Sequence, residues 1–128
     1  MQVDFETEKP IFVQIADGIE DAIVTGAFPE ESRIPSITDF SVRYKINPAT
    51  ALKGISILVE NGTIYKKRGV GMFVSKGAKE RLTKKRRDAF YEHYIKNMLA
   101  EAVRLGIKKE EIIAVSYTHL RAHETAAN

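Results

Sequence analysis

Two helix-capping signatures stand close together in the first half of the chain. Ser36 follows Pro35 and precedes Asp39 by three residues, and Asn47 is followed directly by Pro48. A hydroxyl or amide oxygen at such a position accepts from an orphan backbone N–H, and a proline fits the first helical turn, where its missing N–H is not needed. The spacing leaves room for one short helix, Ile37 to Tyr44, and a tight turn. A second helix then runs from the Asn47 cap to about Glu60, where Asn61-Gly62 stops it. Ile37 and Phe40 are the expected buried side of the short helix. Ala51, Ile55, Leu58 and Val59 form the expected inner stripe of the longer one.

The flanking segments complete the plan. Pro10 can open a helix in which Ile11, Phe12, Ile15, Ile19, Ala22 and Ile23 recur at helical spacing, closed by Gly26 and Pro29. Asp17, Glu20 and Asp21 fall between those positions and read as its wet face. After Gly62 come two strand-like runs, Thr63 to Lys67 and Met72 to Ser75, joined by Arg68-Gly69-Val70-Gly71. The longest helical pattern follows, from about Lys79 to Leu105. Leu82, Phe90, Tyr94, Met98, Ala102 and Leu105 line one face, which Tyr91, Ile95 and Leu99 widen. Gly106 caps it, and Ile107 to Ala114 begins a final helix. The fold class is mainly α with a small β-hairpin. Three helices followed by a hairpin is the winged helix-turn-helix plan, whose third helix is the one expected in the major groove.

Charge is distributed unevenly. The chain of 128 residues carries a net +3, which by itself says little about nucleic acid. Between Lys66 and Arg87, however, lie ten Lys or Arg and one acid, while Met1 to Glu31 holds eight acids and one base. Such asymmetry gives an oriented electrostatic footprint. There is no cysteine, so disulfides and thiolate metal sites are excluded. No run of apolar residues reaches the length of a membrane span, and the N-terminus has neither the basic flank nor the apolar stretch of a signal peptide. A cytoplasmic protein is the expectation. No Ser/His/Asp or Cys/His set, phosphate loop or apolar carboxylate pair points to an enzyme, and no cofactor or metal is expected.

The candidate DNA-binding residues fall in three groups. Asn47, Ala49, Thr50 and Lys53 lie on the outer N-terminal face of the third helix, where short polar groups and a cation can reach phosphates and base edges. Asn47 taken alone reads as a cap. Lys66, Lys67, Arg68 and Gly69, after Tyr65, place three cations at a turn whose glycine lets backbone approach a phosphate or the minor groove. The cluster Lys84, Lys85, Arg86 and Arg87 extends this footprint or is simply the solvated start of a long helix. A basic wing could instead serve a protein-protein interaction module with an acidic partner; nearly salt-independent DNA binding would distinguish that case.

The stretches PIFVQIADGIEDAIVTGAF and RIPSITDFSVRYKINPATALKGISILVENGTIYKKRGVGMFVSKG, roughly residues 10 to 77, resemble the GntR family of bacterial regulators in its short YtrA-like branch. Gly26, Pro35, Ser36, Asn47, Pro48, Thr50, Gly62, Arg68, Gly69, Gly71, Phe73 and Val74 fall in the family's order. The resemblance implies a repressor of transcription, often of neighbouring transporter genes, acting as a homodimer on double-stranded operator DNA. It also implies DNA contacts at Ser36 and Thr38 in the short helix. The family commonly has a phosphate-contacting Arg at the position of Thr38, with Arg43 one turn further on here, and larger residues at Gly54. It further implies a small helical dimerisation module, to which Leu82, Phe90, Tyr91, Tyr94, Ile95, Met98, Leu99 and Ala102 are assigned; packing of the same stripe against the first helix is compatible with that role. The dimer interface could hold a small-molecule effector, which the sequence does not reveal.

The division expected is a winged helix-turn-helix over 1–77, a dimerisation module over 78–114 and a non-native tail over 115–128. VSYTHLRAHET, from Val115 to Thr125, has no helical stripe and resembles, residue for residue, the translation of a transposase-type sequencing-library adapter. His119 and His123 stand four apart, a spacing that can chelate metal on a helix, but they lie in that tail and lack a third ligand. His93 reads as a surface or interface histidine.

Overall fold

Pro10, with its ring-fixed φ, leads the bent N-terminal arm into the first helix. In the computed structural model, which describes residues 1–127, α1 spans Ile11–Val24 with Pro10 as its N-cap residue. A two-residue strand β1 (Arg33–Ile34) follows, then α2 (Ile37–Tyr44), α3 (Pro48–Glu60), β2 (Ile64–Lys67), β3 (Gly71–Val74) and α4 (Ala78–Phe90). One π-helical turn at Tyr91–Ile95 leads into α5 (Lys96–Arg104), and α6 spans Lys109–Ala127. The strands form one antiparallel sheet in the order β1-β3-β2. The expected hairpin is its β2–β3 half. β1 has too few residues to show alternation in sequence; its pairing with β3, Arg33 opposite Phe73 and Ile34 opposite Met72, makes it a strand.

The chain divides into two compact units, Met1–Lys85 and Arg86–Asn128. The first is built on branched aliphatics. Ile15, Ile19 and Ile23 of α1, Ile34 of β1, Ile55 and Leu58 of α3, Ile64 of β2 and Val74 of β3 are almost wholly buried, with Phe40 and Ile46 beside them. Ala78 and Leu82 complete this core, so the first unit runs past residue 77, the boundary expected from sequence. Arg81 ties the same corner, donating to the backbone carbonyls of Lys76 at 3.1 Å and Gly62 at 3.4 Å. Val59, expected on the inner stripe of α3, is 40% exposed; α3 needs only Ala51, Gly54, Ile55 and Leu58 to face inward.

Gly54 sets how closely α1 and α3 approach. A methyl group built on it would meet the Phe12 carbonyl oxygen at 2.6 Å and the Ile15 Cβ at 3.1 Å. The glycine weakens the helix intrinsically by about 1 kcal/mol, and the packing of α3 against α1 uses the space it leaves. Along α1, Gln14 clasps the N-terminal arm: its Oε1 accepts from Asp4 N–H at 2.7 Å, and its Nε2 donates to the carbonyls of Asp4 and Lys9 at 2.8 and 2.9 Å. The exposed Lys9–Asp17 pair at 2.6 Å raises the Lys9 pKa through its hydrogen bond and charge.

The second unit is helical. Its π turn is closed by Lys96 N–H bonding to the Tyr91 carbonyl, five residues back. At the end of α5, Gly106 takes φ +68°, and Ile107 N–H returns to the Ala102 carbonyl at 2.9 Å, a glycine-dependent helix stop. α6 continues beyond Ala114, where the sequence pattern shows no stripe. Leu120, Arg121, Ala122 and Glu124 are good helix formers and need no buried face to be helical. No helix among the described residues is long and apolar enough to cross a membrane.

Candidate nucleic-acid interface

The two caps position the reading elements. Ser36 Oγ accepts from Asp39 N–H at 3.1 Å, and the Asp39 carboxylate accepts from Ser36 N–H at 3.0 Å. This reciprocal box satisfies two orphan donors at the start of α2. The same bonds, aided by the charge of Arg33, hold the Asp39 pKa below its ordinary value. α2 closes on Lys45 in the left-handed region, φ +54°. Ser41 Oγ then donates to the Ile46 carbonyl at 2.6 Å, and Ile46 is buried as the anchor of the turn. Asn47 Oδ1 accepts from Ala49 N–H at 2.8 Å and starts α3. Its amide oxygen is therefore engaged in capping, as the residue taken alone suggested.

Around this frame the sequence-derived residues are distributed as follows. Thr38 and Ala49 are exposed, and Ser36 and Thr50 are half-buried. Lys53 is exposed, with its Nζ 4.1 Å from the centroid of the Phe12 ring on α1. The aromatic face holds the ammonium at the α1–α3 seam. Lys66, Lys67, Arg68 and Gly69 are all exposed at the wing. Gly69 takes φ +75° in the turn, closed by Val70 N–H to the Lys67 carbonyl at 2.9 Å. Lys67 Nζ lies 4.9 Å from the Phe73 centroid, and Phe73 stacks on Tyr65 at 5.7 Å. Two features escape a reading of periodicity. Val70, 52% exposed, is an apolar side chain at the wing turn, and Arg33 of β1 lies against Gly71 at the wing base. Contact across strands, invisible to local pattern, places the latter.

The residues assigned to dimerisation separate into two sets. Phe90, Tyr91, Tyr94, Met98 and Leu99 are exposed large apolar groups, from 43% for Leu99 to 66% for Tyr94, and Ile95 is half-buried. Phe90 and Tyr94 rings meet at 5.3 Å. Leu82 belongs instead to the core of the first unit, and Ala102 is buried. The π turn at Tyr91–Ile95 does not divide the two sets, since Leu82 and Phe90 both precede it and Met98 and Ala102 both follow it. His93 is exposed. Among the described residues no three His, Cys, Asp or Glu side chains gather as a metal site.

No family model matches the sequence. A transcriptional regulator of the GntR family from Bacteroides thetaiotaomicron superposes with a TM-score of 0.74 and 34% identity, covering 88% of this chain and 98% of that one. The HTH-type transcriptional repressor YtrA of Bacillus subtilis is 25% identical over 112 residues, 88% of this chain and 85% of the relative. The DNA-binding domain of AraR, solved in complex with operator ORE1, matches 59% of this chain and 94% of that domain at 26% identity and a TM-score of 0.51. The order of helices, the three-stranded sheet and the likeness to the Bacteroides regulator over nearly its whole length lead to one assignment: this chain belongs to the GntR family of transcription regulators.

Proposed function

We propose that the protein is a repressor that binds a two-fold operator as a homodimer, each copy presenting α3 to the major groove and the β2–β3 wing to the adjacent backbone or minor groove. The observation that carries this reading is the juxtaposition within one unit of a well-capped α3, its N-terminal end exposed, and a wing whose turn carries Lys66, Lys67 and Arg68 free to solvent. Thr50 and Lys53 are assigned to base edges or nearby phosphates. Ser36, Thr38, Asn47 and Ala49 line the approach of the backbone, and the wing cations and Gly69 supply phosphate contacts. Repression is supported by the name of the YtrA relative, and operator binding by the AraR complex.

Dimerisation is supported by the second unit. A helical unit that leaves Phe90, Tyr91, Tyr94, Met98 and Leu99 exposed has an apolar surface for another copy to cover. The working division is a DNA-binding unit, a dimerisation module and, from residue 115, a tail foreign to the native protein. Val115, Tyr117 and Leu120, 58%, 65% and 64% exposed, contribute nothing to a core. Resequencing the locus by a library method without that adapter should end the native frame's agreement near Ala114; recovery of the same codons would remove the tail proposal.

The decisive test is binding to DNA upstream of the protein's own gene against a scrambled duplex, over a salt series. The expected result is promoter preference, affinity that falls steeply with salt, weakening in Lys53→Ala, and a footprint of two half-sites separated by about 34–36 Å or a multiple of it. Equal, salt-insensitive binding to both duplexes would overturn the reading and favour an acidic protein partner for the wing.

A further inference from the structure

The sheet's outer face gathers charge that neither the recognition helix nor the wing turn accounts for. In β1 the burial alternates, with Ile34 inward and Arg33 outward. Arg33 stands opposite Phe73, and Phe73 opposite Tyr65, so these three side chains share the outer face. Directly opposite residues of a ladder point to the same side, and a long side chain also reaches the diagonal neighbour. Arg33 does so: a methyl group built on Gly71 would lie 2.7 Å from its Nε and 3.3 Å from its Cζ. The guanidinium thus lies over the bare backbone of Gly71. That glycine holds φ +144°, a conformation that other residues rarely adopt.

From the other side Gly71 is flanked by Lys67, its cross-strand partner in β2. The Lys67 ammonium is held over the Phe73 ring at 4.9 Å. One cation therefore lies on Gly71, and a second, Lys67, stands opposite that glycine across the ladder. Among the described residues no hydrogen bond or ion pair engages the Arg33 guanidinium, although the charge of Arg33 reaches Asp39 at the start of α2. Planar N–H donors with no acceptor of their own, on the sheet face that also carries a lysine, suit a phosphate oxygen.

We infer that Arg33, seated on Gly71 and working with Lys67, forms a phosphate-binding site at the wing base that grips the nucleic-acid backbone between the wing and the start of α2. This inference rests on the DNA-binding reading. It adds a contact from β1, a strand outside both the recognition helix and the hairpin. The contact is sequence-independent, so it fixes the placement of the protein on the duplex and carries no base preference.

The test uses the full chain and a mixed-sequence 30-base-pair duplex, with binding followed by fluorescence anisotropy from 50 to 200 mM salt. Each phosphate contact contributes about 0.9 to the slope of log affinity against log salt. Arg33→Gln should lower the slope by about that amount, so that its defect shrinks by about 3.5-fold across the series. Arg33→Lys, which keeps the charge, should retain most of the slope. Circular dichroism of both variants checks that the unit is folded. If Arg33→Gln does not fold, Arg33→Met, which keeps an unbranched stem without the charge, replaces it and should lower the slope by the same amount. A folded Arg33→Gln or Arg33→Met with the wild-type slope would overturn the inference while leaving the regulator reading intact. A wild type with no salt-dependent affinity for the duplex would overturn both.

Discussion

The two units of this chain treat their apolar residues in opposite ways. In the first, Ile15, Ile55, Leu58 and Val74 are at most 1% exposed, and every helix and strand contributes to one core. In the second, Phe90, Tyr94 and Val103 are 55%, 66% and 80% exposed. A unit of about eighty residues can bury enough surface to stand alone, whereas a two-helix appendage of about forty usually needs a partner. The first unit closes a core of its own, whereas the second leaves its large apolar side chains exposed, as the proposed dimer requires.

The largest expected effect comes from attacking the exposed stripe. Tyr94→Glu combined with Met98→Glu places two charges where the proposed dimer is dry. Central aromatic positions of an interface commonly contribute about 2 kcal/mol or more, so sedimentation should show dimer association weakened by about thirtyfold or more. The circular dichroism of the first unit should be unchanged. A dimer of wild-type strength in this variant would remove the contrast between the units.

Gly54→Ala attacks the self-sufficient unit at its tightest point. In an open helix this change stabilises by about 1 kcal/mol. Here the methyl group would meet the Phe12 carbonyl oxygen at 2.6 Å, and overpacking of this kind costs about 1–3 kcal/mol. Urea denaturation should therefore show a loss of stability, together with weaker DNA binding as α3 shifts. A gain would mean that α1 and α3 have slack.

The smallest effect is at the cap of α2. Asp39 has its pKa lowered mainly by the Ser36 backbone N–H and side chain. A group whose folded pKa is depressed contributes stability that is present above the ordinary carboxylate value and is lost as pH falls through the lowered value. Wild type should therefore exceed Asp39→Asn in stability at neutral pH, and the gap should close on acidification below that ordinary value. A gap independent of pH would assign the role of Asp39 to shape alone.

The helix-turn-helix is legible in the sequence because its ends are marked by local chemistry. Ser36 with Asp39, and Asn47 with Pro48, are read as caps and serve as caps. The strand β1 is not legible, since Arg33 and Ile34 become a strand only through β3. The same non-local pairing hides Arg33 from any search for basic clusters, which finds Lys66 to Arg68 because they are neighbours in sequence. Leu82 joins the first core although its spacing fits the dimer stripe, because a periodic pattern cannot say where one core stops and the next surface begins. Lys53 reads correctly as an outward residue, but its seat on Phe12 depends on the close helix crossing that Gly54 permits.

The π turn at Tyr91–Ile95 bears on how relatives should be compared. A wide turn holds one residue more than the α-helical turn it replaces, so a relative lacking it would pair with this chain through a single-residue gap somewhere in those five positions. Placing that gap elsewhere would rotate every later position of α5 by about 100° on the helical wheel, and would match inward residues of one protein with outward residues of the other. Comparison of these second units is therefore best anchored at Gly106 and carried backwards, toward the turn.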